Sequence, residues 1–179
     1  MGIKNLWTLN VDELLVTDKL KSYFNKKQYE IFLPVNSQMR NIDLIFYNIK
    51  KHKIITIQVK GSRTYNPRNS EIERWGKGSA AWFALDYEVI YNPHNKVDFF
   101  IFVLHSMLDG KLKKEIEINY LIIPSDDLKK IVSKKSKQRK KCHFLIWIDP
   151  EGKRSFDFRN KGMKQIFLSQ YLDNWDILK

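Results

Sequence analysis

The sequence predicts an α/β fold in which helices flank a mixed central β-sheet. Three observations carry this expectation. Residues 41–62 (NIDLIFYNIKKHKIITIQVKGS) read as two strands joined by a polar turn, since β-branched runs bounded by turn residues are a strong strand signal. Residues 97–105 (VDFFIFVLH) and 116–123 form two further apolar runs, the first apolar enough to be covered on both faces. Residues 11–24, ahead of the hairpin, set apolar side chains at helical spacing.

In chain order, Val11, Leu14, Leu15, Val16, Leu20 and Tyr23 predict an apolar helix stripe with Glu13 on or beside it. Residues 29–35 predict a first strand, ended by Pro34 and Asn36. In the hairpin, Ile42, Leu44 and Phe46 alternate with Asp43, Ile45 and Tyr47, and residues 48–53 supply the turn. A turn centred between Lys50 and Lys51 sets Asp43 opposite Gln58. Lys60 then projects from the same face as Gln58, because side chains two apart on a strand share a face. A carboxylate, a carboxamide and an ammonium at one end of an apolar hairpin suggest a site, since half-buried polar groups need partners.

Those donors suit a hard divalent cation. Asp43, the Gln58 amide oxygen and the Val59 carbonyl are oxygen ligands, and Mg²⁺ takes one or two carboxylates with water and phosphate oxygens. Lys60 would orient or deprotonate the attacking water, or offset charge growing on phosphorus. Together these are the means of hydrolysing a phosphodiester.

Asp43 followed after a turn by Gln58-Val59-Lys60 resembles the active-site motif of the restriction-endonuclease-like, or PD-(D/E)XK, nuclease superfamily. There an Asp opens the second strand, a Glu-x-Lys or Gln-x-Lys lies on the third, and a helix with an inward Glu precedes the first. Glu13 in VDELLVTDKLKSYFNKKQYEIFLPV holds that place. The pattern is similar to archaeal Holliday-junction resolvases and to intron homing endonucleases of this fold, over residues 11–62, roughly a third of the chain. Two positions depart from it: Ile42 stands where Pro usually precedes the Asp, and Gln58 replaces the commoner Glu, lowering the negative charge on a metal. The resemblance implies a restriction-endonuclease-like core over residues 8–124 with an extension over 125–179. It also implies a Mg²⁺- or Mn²⁺-dependent DNA endonuclease with Asp43, Gln58, Lys60 and Glu13 as its site. For Glu13 a solvated acid paired with Lys19 or Lys21 is the alternative.

Composition points to the same partner. The chain has 179 residues, 43% hydrophobic and 13% aromatic, enough for a sizeable core. Lys and Arg number 32 against 20 Asp and Glu, a formal charge of +12 that favours a polyanion, most simply nucleic acid. DNA is expected, with RNA left open, and a homodimer would supply two sites for two strands. Cys142, the single cysteine, excludes an internal disulfide and a cysteine zinc site, and fits a reducing, cytoplasmic setting. No secretory signal, membrane span, histidine metal spacing, Gly-rich phosphate loop or repeat is read from the chain.

Residues 61–79 predict a loop whose Ser62, Arg63, Arg68, Arg74 and Lys77 could meet phosphates, with Tyr65 and Trp75 able to stack on bases. Residues 79–91 are ambiguous between helix and strand, and the resemblance places a helix there. Asp109-Gly110 marks a turn, and Ser125 a helix N-cap with acids behind it. Eight basic residues follow between 129 and 141: Lys129, Lys130, Lys134, Lys135, Lys137, Arg139, Lys140 and Lys141. The last six are candidate contacts for backbone phosphate, which would be salt-sensitive and blind to sequence. A turn at 149–152, a short strand at 154–158 and a closing helix over 165–178 complete the reading. Two other readings stay open: a nucleic-acid-binding protein that kept the fold without catalysis, and a basic interaction protein.

Overall fold

In the computed structural model the hairpin pairs Leu44 with Ile57 and Asn48 with Lys53, the register that the turn centre predicts. The structure describes residues 11–34, 41–92, 94, 96–109, 114–135, 140–149, 151, 153–159 and 165–179. Asn36, Gly110, Lys137 and Arg139, named above, lie outside the described residues, as do position 35 of the expected first strand and positions 150 and 152 of the expected turn.

The chain is mixed α/β, with a large, mainly antiparallel sheet and few helices. Helix α1 (Val11–Tyr23) leads into β1 (Tyr29–Phe32), β2 (Leu44–Asn48) and β3 (Lys53–Tyr65). Then come α2 (Asn69–Trp75), β4 (Ser79–Asp86), α3 (Tyr87–Tyr91), β5 (Phe99–Asp109) and β6 (Lys114–Pro124). Helix α4 (Ser125–Ser133) precedes β7 (Lys141–Asp149), β8 (Arg154–Asp157) and β9 (Ile166–Phe167), and short 3-10 turns at Ser169–Tyr171 and Trp175–Leu178 follow.

The long strand β3 belongs to two halves of the sheet. Its first part lies between β2 and β5, and β5 carries β6 on its far side. Its last residues, Thr64 and Tyr65, pair with β4, which continues through β7 and β8 to β9. Among the described residues β3 with β5 is the one parallel pair. Strand alternation sorts the core. Phe100, Phe102 and Leu104 of β5 pack against Phe83 and Leu85 of β4, Phe144 and Ile146 of β7 and Leu128 of α4. Ile101 and Val103 face the other way and join Ile57 and Val59 of β3 and Val16 and Leu20 of α1. Residues 100–104 of β5 are therefore buried on both faces, as the unbroken apolar run predicts. Helix α1 covers one face of the first half-sheet. The second half-sheet, together with α3 and α4, covers the other.

Several elements differ from the sequence reading. The apolar stripe of α1 is turned: Val16, Thr17 and Leu20 are buried, while Val11, Leu14 and Tyr23 face water. The expected loop after Lys60 holds regular structure. β3 runs on because Gly61, Ser62 and Arg63 keep a strand partner in β5, and the Glu71 carboxylate accepts the Arg68 N–H at 2.8 Å to start α2. Residues 79–86 are a strand because Ala81, Phe83 and Leu85 alternate into the core. Pro124 holds the N-cap place of α4, and Ser125 turns its hydroxyl onto the Val97 carbonyl. No helix closes the chain over 165–178. Leu168 and Tyr171 pack into one core and Trp175 and Leu178 into the other, which one helix face cannot serve. The switch occurs at Asp173, a left-handed residue (φ 49°) whose carboxylate accepts the Tyr120 N–H.

Candidate functional site

The hairpin mouth brings the first candidate group together. Regular pairing of β2 with β3 ends at Leu44 and Ile57, and the Asp43 N–H donates to the Ile57 carbonyl at 2.9 Å. Beyond that point β3 has lost its β2 neighbour. The Asp43 side chain takes its place, with Oδ2 accepting the Val59 N–H at 2.7 Å. Asp43 is half-buried and anchored to the peptide that follows Gln58.

Gln58 is 3% exposed. Its Nε2 reaches the Oδ1 of Asn41 at 3.5 Å, and its Oε1 is buried without a hydrogen-bond partner. An orphaned buried carbonyl oxygen costs free energy unless a donor or cation meets it. Asn41, left-handed at φ 73°, holds the near side of this corner. Lys60 is half-buried and lies beside Phe102 of β5, on the face of Gln58. The Val59 side chain points into the opposite core and offers only its backbone.

Helix α1 packs on that opposite face, so Glu13 comes from the far side of β3 from Gln58 and Lys60. The acid of α1 that reaches β3 closely is Asp12. Its carboxylate lies where a β-carbon on Gly61 would stand, and its Oδ1 accepts a hydrogen bond from His105 Nε2 on β5 at 2.5 Å. The sequence reading missed this pair. Asp12 and Glu13 both lie one turn before buried residues, Val16 and Thr17, so helical spacing does not choose between them. The parallel register that sets Arg63 beside His105 decides it.

The basic candidates divide. Arg63, Arg68, Arg74 and Lys77 are exposed, and Arg74 lies over the Trp75 ring at 5.4 Å. Ser62 is half-buried, with its hydroxyl donating to the Arg63 carbonyl. Trp75 packs with Trp147, Phe156 and Phe158 and is a core residue rather than a base-stacking one, whereas Tyr65 is 38% exposed. Lys134, Lys140 and Lys141 face water. Lys135 does not: it is 8% exposed, bonded to the buried Asp157 carboxylate, with its ammonium 4.4 Å from the centre of the Phe144 ring. This removes Lys135 from any phosphate-binding surface.

A divalent cation at the hairpin mouth would be held by the Asp43 carboxylate and Gln58 Oε1, and the orphaned state of that oxygen fits such a ligand. Among the described residues no three His, Cys, Asp or Glu side chains gather as a metal group. The side-chain donor set is thus one carboxylate and one amide, with the Val59 carbonyl as the expected backbone oxygen, leaving most of the coordination to water and phosphate oxygens. Among the described residues no helix is long and apolar enough to cross a membrane.

Comparison with known proteins returns no matching family model, no matching curated protein and no matching solved structure.

Proposed function

We propose that the protein is a divalent-metal-dependent endonuclease acting on DNA, built on a restriction-endonuclease-like core, with the mouth of the β2–β3 hairpin as its centre. The observation that carries the reading is the corner where Asp43 is fastened to the Val59 peptide and Gln58 Oε1 lies buried and unpaired, with Lys60 next on the same face. The order of helix, strand, Asp-bearing strand and Gln-x-Lys strand supports it. A bound cation at this corner supplies Lewis-acid polarisation of the scissile phosphodiester.

The chain's own residues do the rest. Asp43 and Gln58 present oxygens from two adjacent strands whose geometry the hairpin fixes. The Lys60 side chain, about 7 Å along the strand from Gln58, orients the attacking water and offsets charge developing on the phosphoryl oxygens. The exposed Arg63, Arg68, Arg74 and Lys77 follow in sequence and hold the backbone without reading its sequence. The net charge of +12 draws the polyanion in at low salt. The resolvase-like pattern makes a four-way junction the first substrate to try.

The test is a cleavage assay of the wild type and Lys60→Ala on a four-way junction, linear duplex, supercoiled plasmid and single strands, with Mg²⁺, Mn²⁺ or EDTA. Metal-dependent cutting by the wild type alone is the expected result. A second reading, a nucleic-acid-binding protein without catalysis, is favoured by Gln58, which leaves a single carboxylate at the corner. Its signature is equal binding by both proteins in EDTA and no cutting of any substrate.

A further inference from the structure

A second feature lies on the outer face of the other half-sheet. Along β4, Ala81, Phe83 and Leu85 point into the core, so Trp82 points outward and is 48% exposed. It stacks on His143 of β7 with ring centroids 5.4 Å apart and planes 17° apart. His143 belongs to the next residue pair on the same face, two positions along the ladder, since Trp82 pairs with Leu145 and Ala84 with His143. With the imidazole stacked on it, Trp82 still leaves about half of its surface to water, on an antiparallel pair that carries both rings.

The charges around this shelf are mainly positive. Lys141 lies on the same face of β7, two residues from His143, and is exposed. Arg159 is exposed on the segment after β8, where the Phe158 N–H donates to the Leu145 carbonyl at 3.0 Å. The one acid paired into this corner, Asp86, is opposite Lys141 at 4.0 Å and offsets a single charge. Burial first, and then the fields of Arg159, Lys141 and Lys135, hold His143 below the usual histidine range. At neutral pH its ring is therefore uncharged and suited to stacking.

A solvent-facing cross-strand pair of rings is by itself an ordinary stabilising device. What marks this one is the combination of a half-exposed indole, fixed by a neutral ring behind it, with exposed cations beside it. Bases in a duplex are already stacked and cannot use such a shelf, whereas an unpaired base has a free π-face that any aromatic platform can take. We infer that the Trp82–His143 shelf is a binding site for an unpaired nucleotide of a single-stranded or locally opened nucleic acid, with Lys141 and Arg159 meeting the adjoining phosphates. This site lies apart from the hairpin mouth and needs neither the metal nor Lys60.

The test is fluorescence anisotropy in EDTA, with labelled single-stranded DNA, single-stranded RNA and a blunt duplex as probes. The proteins are the wild type, Trp82→Ala, Trp82→Phe and Lys141→Gln, each checked for an unchanged melting temperature. Trp82→Ala is expected to weaken single-strand binding about tenfold and Trp82→Phe less, with duplex binding unchanged. Lys141→Gln is expected to lower the salt slope of binding by about one phosphate contact. Comparison of the two single strands assigns the sugar preference. Equal single-strand affinity for the wild type and Trp82→Ala overturns the proposal, as does an equal loss on the duplex. No single-strand binding by the wild type also overturns it, whatever the cleavage assay gives.

Discussion

The Asp43 carboxylate accepts the Val59 N–H at 2.7 Å, so a side chain of one strand completes the hydrogen bonding of the next where the ladder between them has ended. The same carboxylate is the sole acid assigned to the proposed metal corner. The two roles separate on substitution. Asp43→Ala leaves the Val59 N–H unmet and should destabilise the fold by about 1–3 kcal/mol. Asp43→Asn keeps an oxygen for the N–H but loses the charge. Urea unfolding should then show Asn close to wild type and Ala well below it, while both fail to cut DNA. Equal stability for all three proteins would mean that the bond does not hold the hairpin mouth.

Gln58 should oppose stability to function. Its Oε1 is buried and unpaired, which carries a desolvation cost of about 1–3 kcal/mol. Leu fills nearly the same volume without that oxygen. Gln58→Leu is expected to raise the melting temperature by about 2–4 °C for each kcal/mol recovered, and to abolish metal-dependent cleavage. Calorimetry with and without Mg²⁺ checks both halves. Metal should raise the melting temperature of the wild type only.

The buried Lys135 should behave as a structural residue inside a run of basic ones. Its ammonium bonds Asp157, whose Oδ1 also accepts the N–H groups of Leu145 and Arg159. Lys135→Met strands a buried carboxylate and should cost about 3–5 kcal/mol. Adding Asp157→Leu should not restore stability, because the two N–H groups would then lose their acceptor. Under conditions where each variant remains folded, Lys135→Met should leave the salt slope of DNA binding unchanged, whereas Lys140→Gln should reduce it.

Gly61 and Asp12 should couple. A β-carbon at Gly61 collides with the Asp12 carboxylate that bonds His105. Gly61→Ala is expected to destabilise by about 1–3 kcal/mol, as overpacking does. In the background of Asp12→Ala the same change should cost much less. A double-mutant cycle from thermal melts gives the coupling, and additive effects would argue against the collision.

The parts of this architecture legible in the sequence are those set by local alternation. The β2–β3 register followed from a β-branched run and a symmetric turn, and the two-sided burial of β5 from an apolar run with no polar break. The parts not legible depend on partners distant in the chain. Residues 61–65 look like a loop from composition, yet β5 on one side and β4 on the other keep them extended. The apolar spacing at 165–178 imitates a helix, but its members serve two separate cores. At the candidate site, Asp43, Gln58 and Lys60 were readable because one hairpin carries all three. The Asp12–His105 pair was not, since it joins residues that only the β3–β5 pairing brings together.

The double membership of β3 has a kinetic consequence. The β2–β3 and β5–β6 hairpins close short loops and can form within microseconds of the chain becoming free. The β3–β5 and β4–β7 ladders join residues far apart in sequence, and each must pay its loop-closure entropy first. During synthesis the β2–β3 hairpin leaves the ribosome long before β7 exists, with the inner face of β3 still uncovered. In that interval the proposed catalytic corner is complete in sequence and open to water. An enzyme with the proposed centre, assembled in this order, would become competent late, when the β4–β7 ladder has closed over β5, the strand beside Lys60.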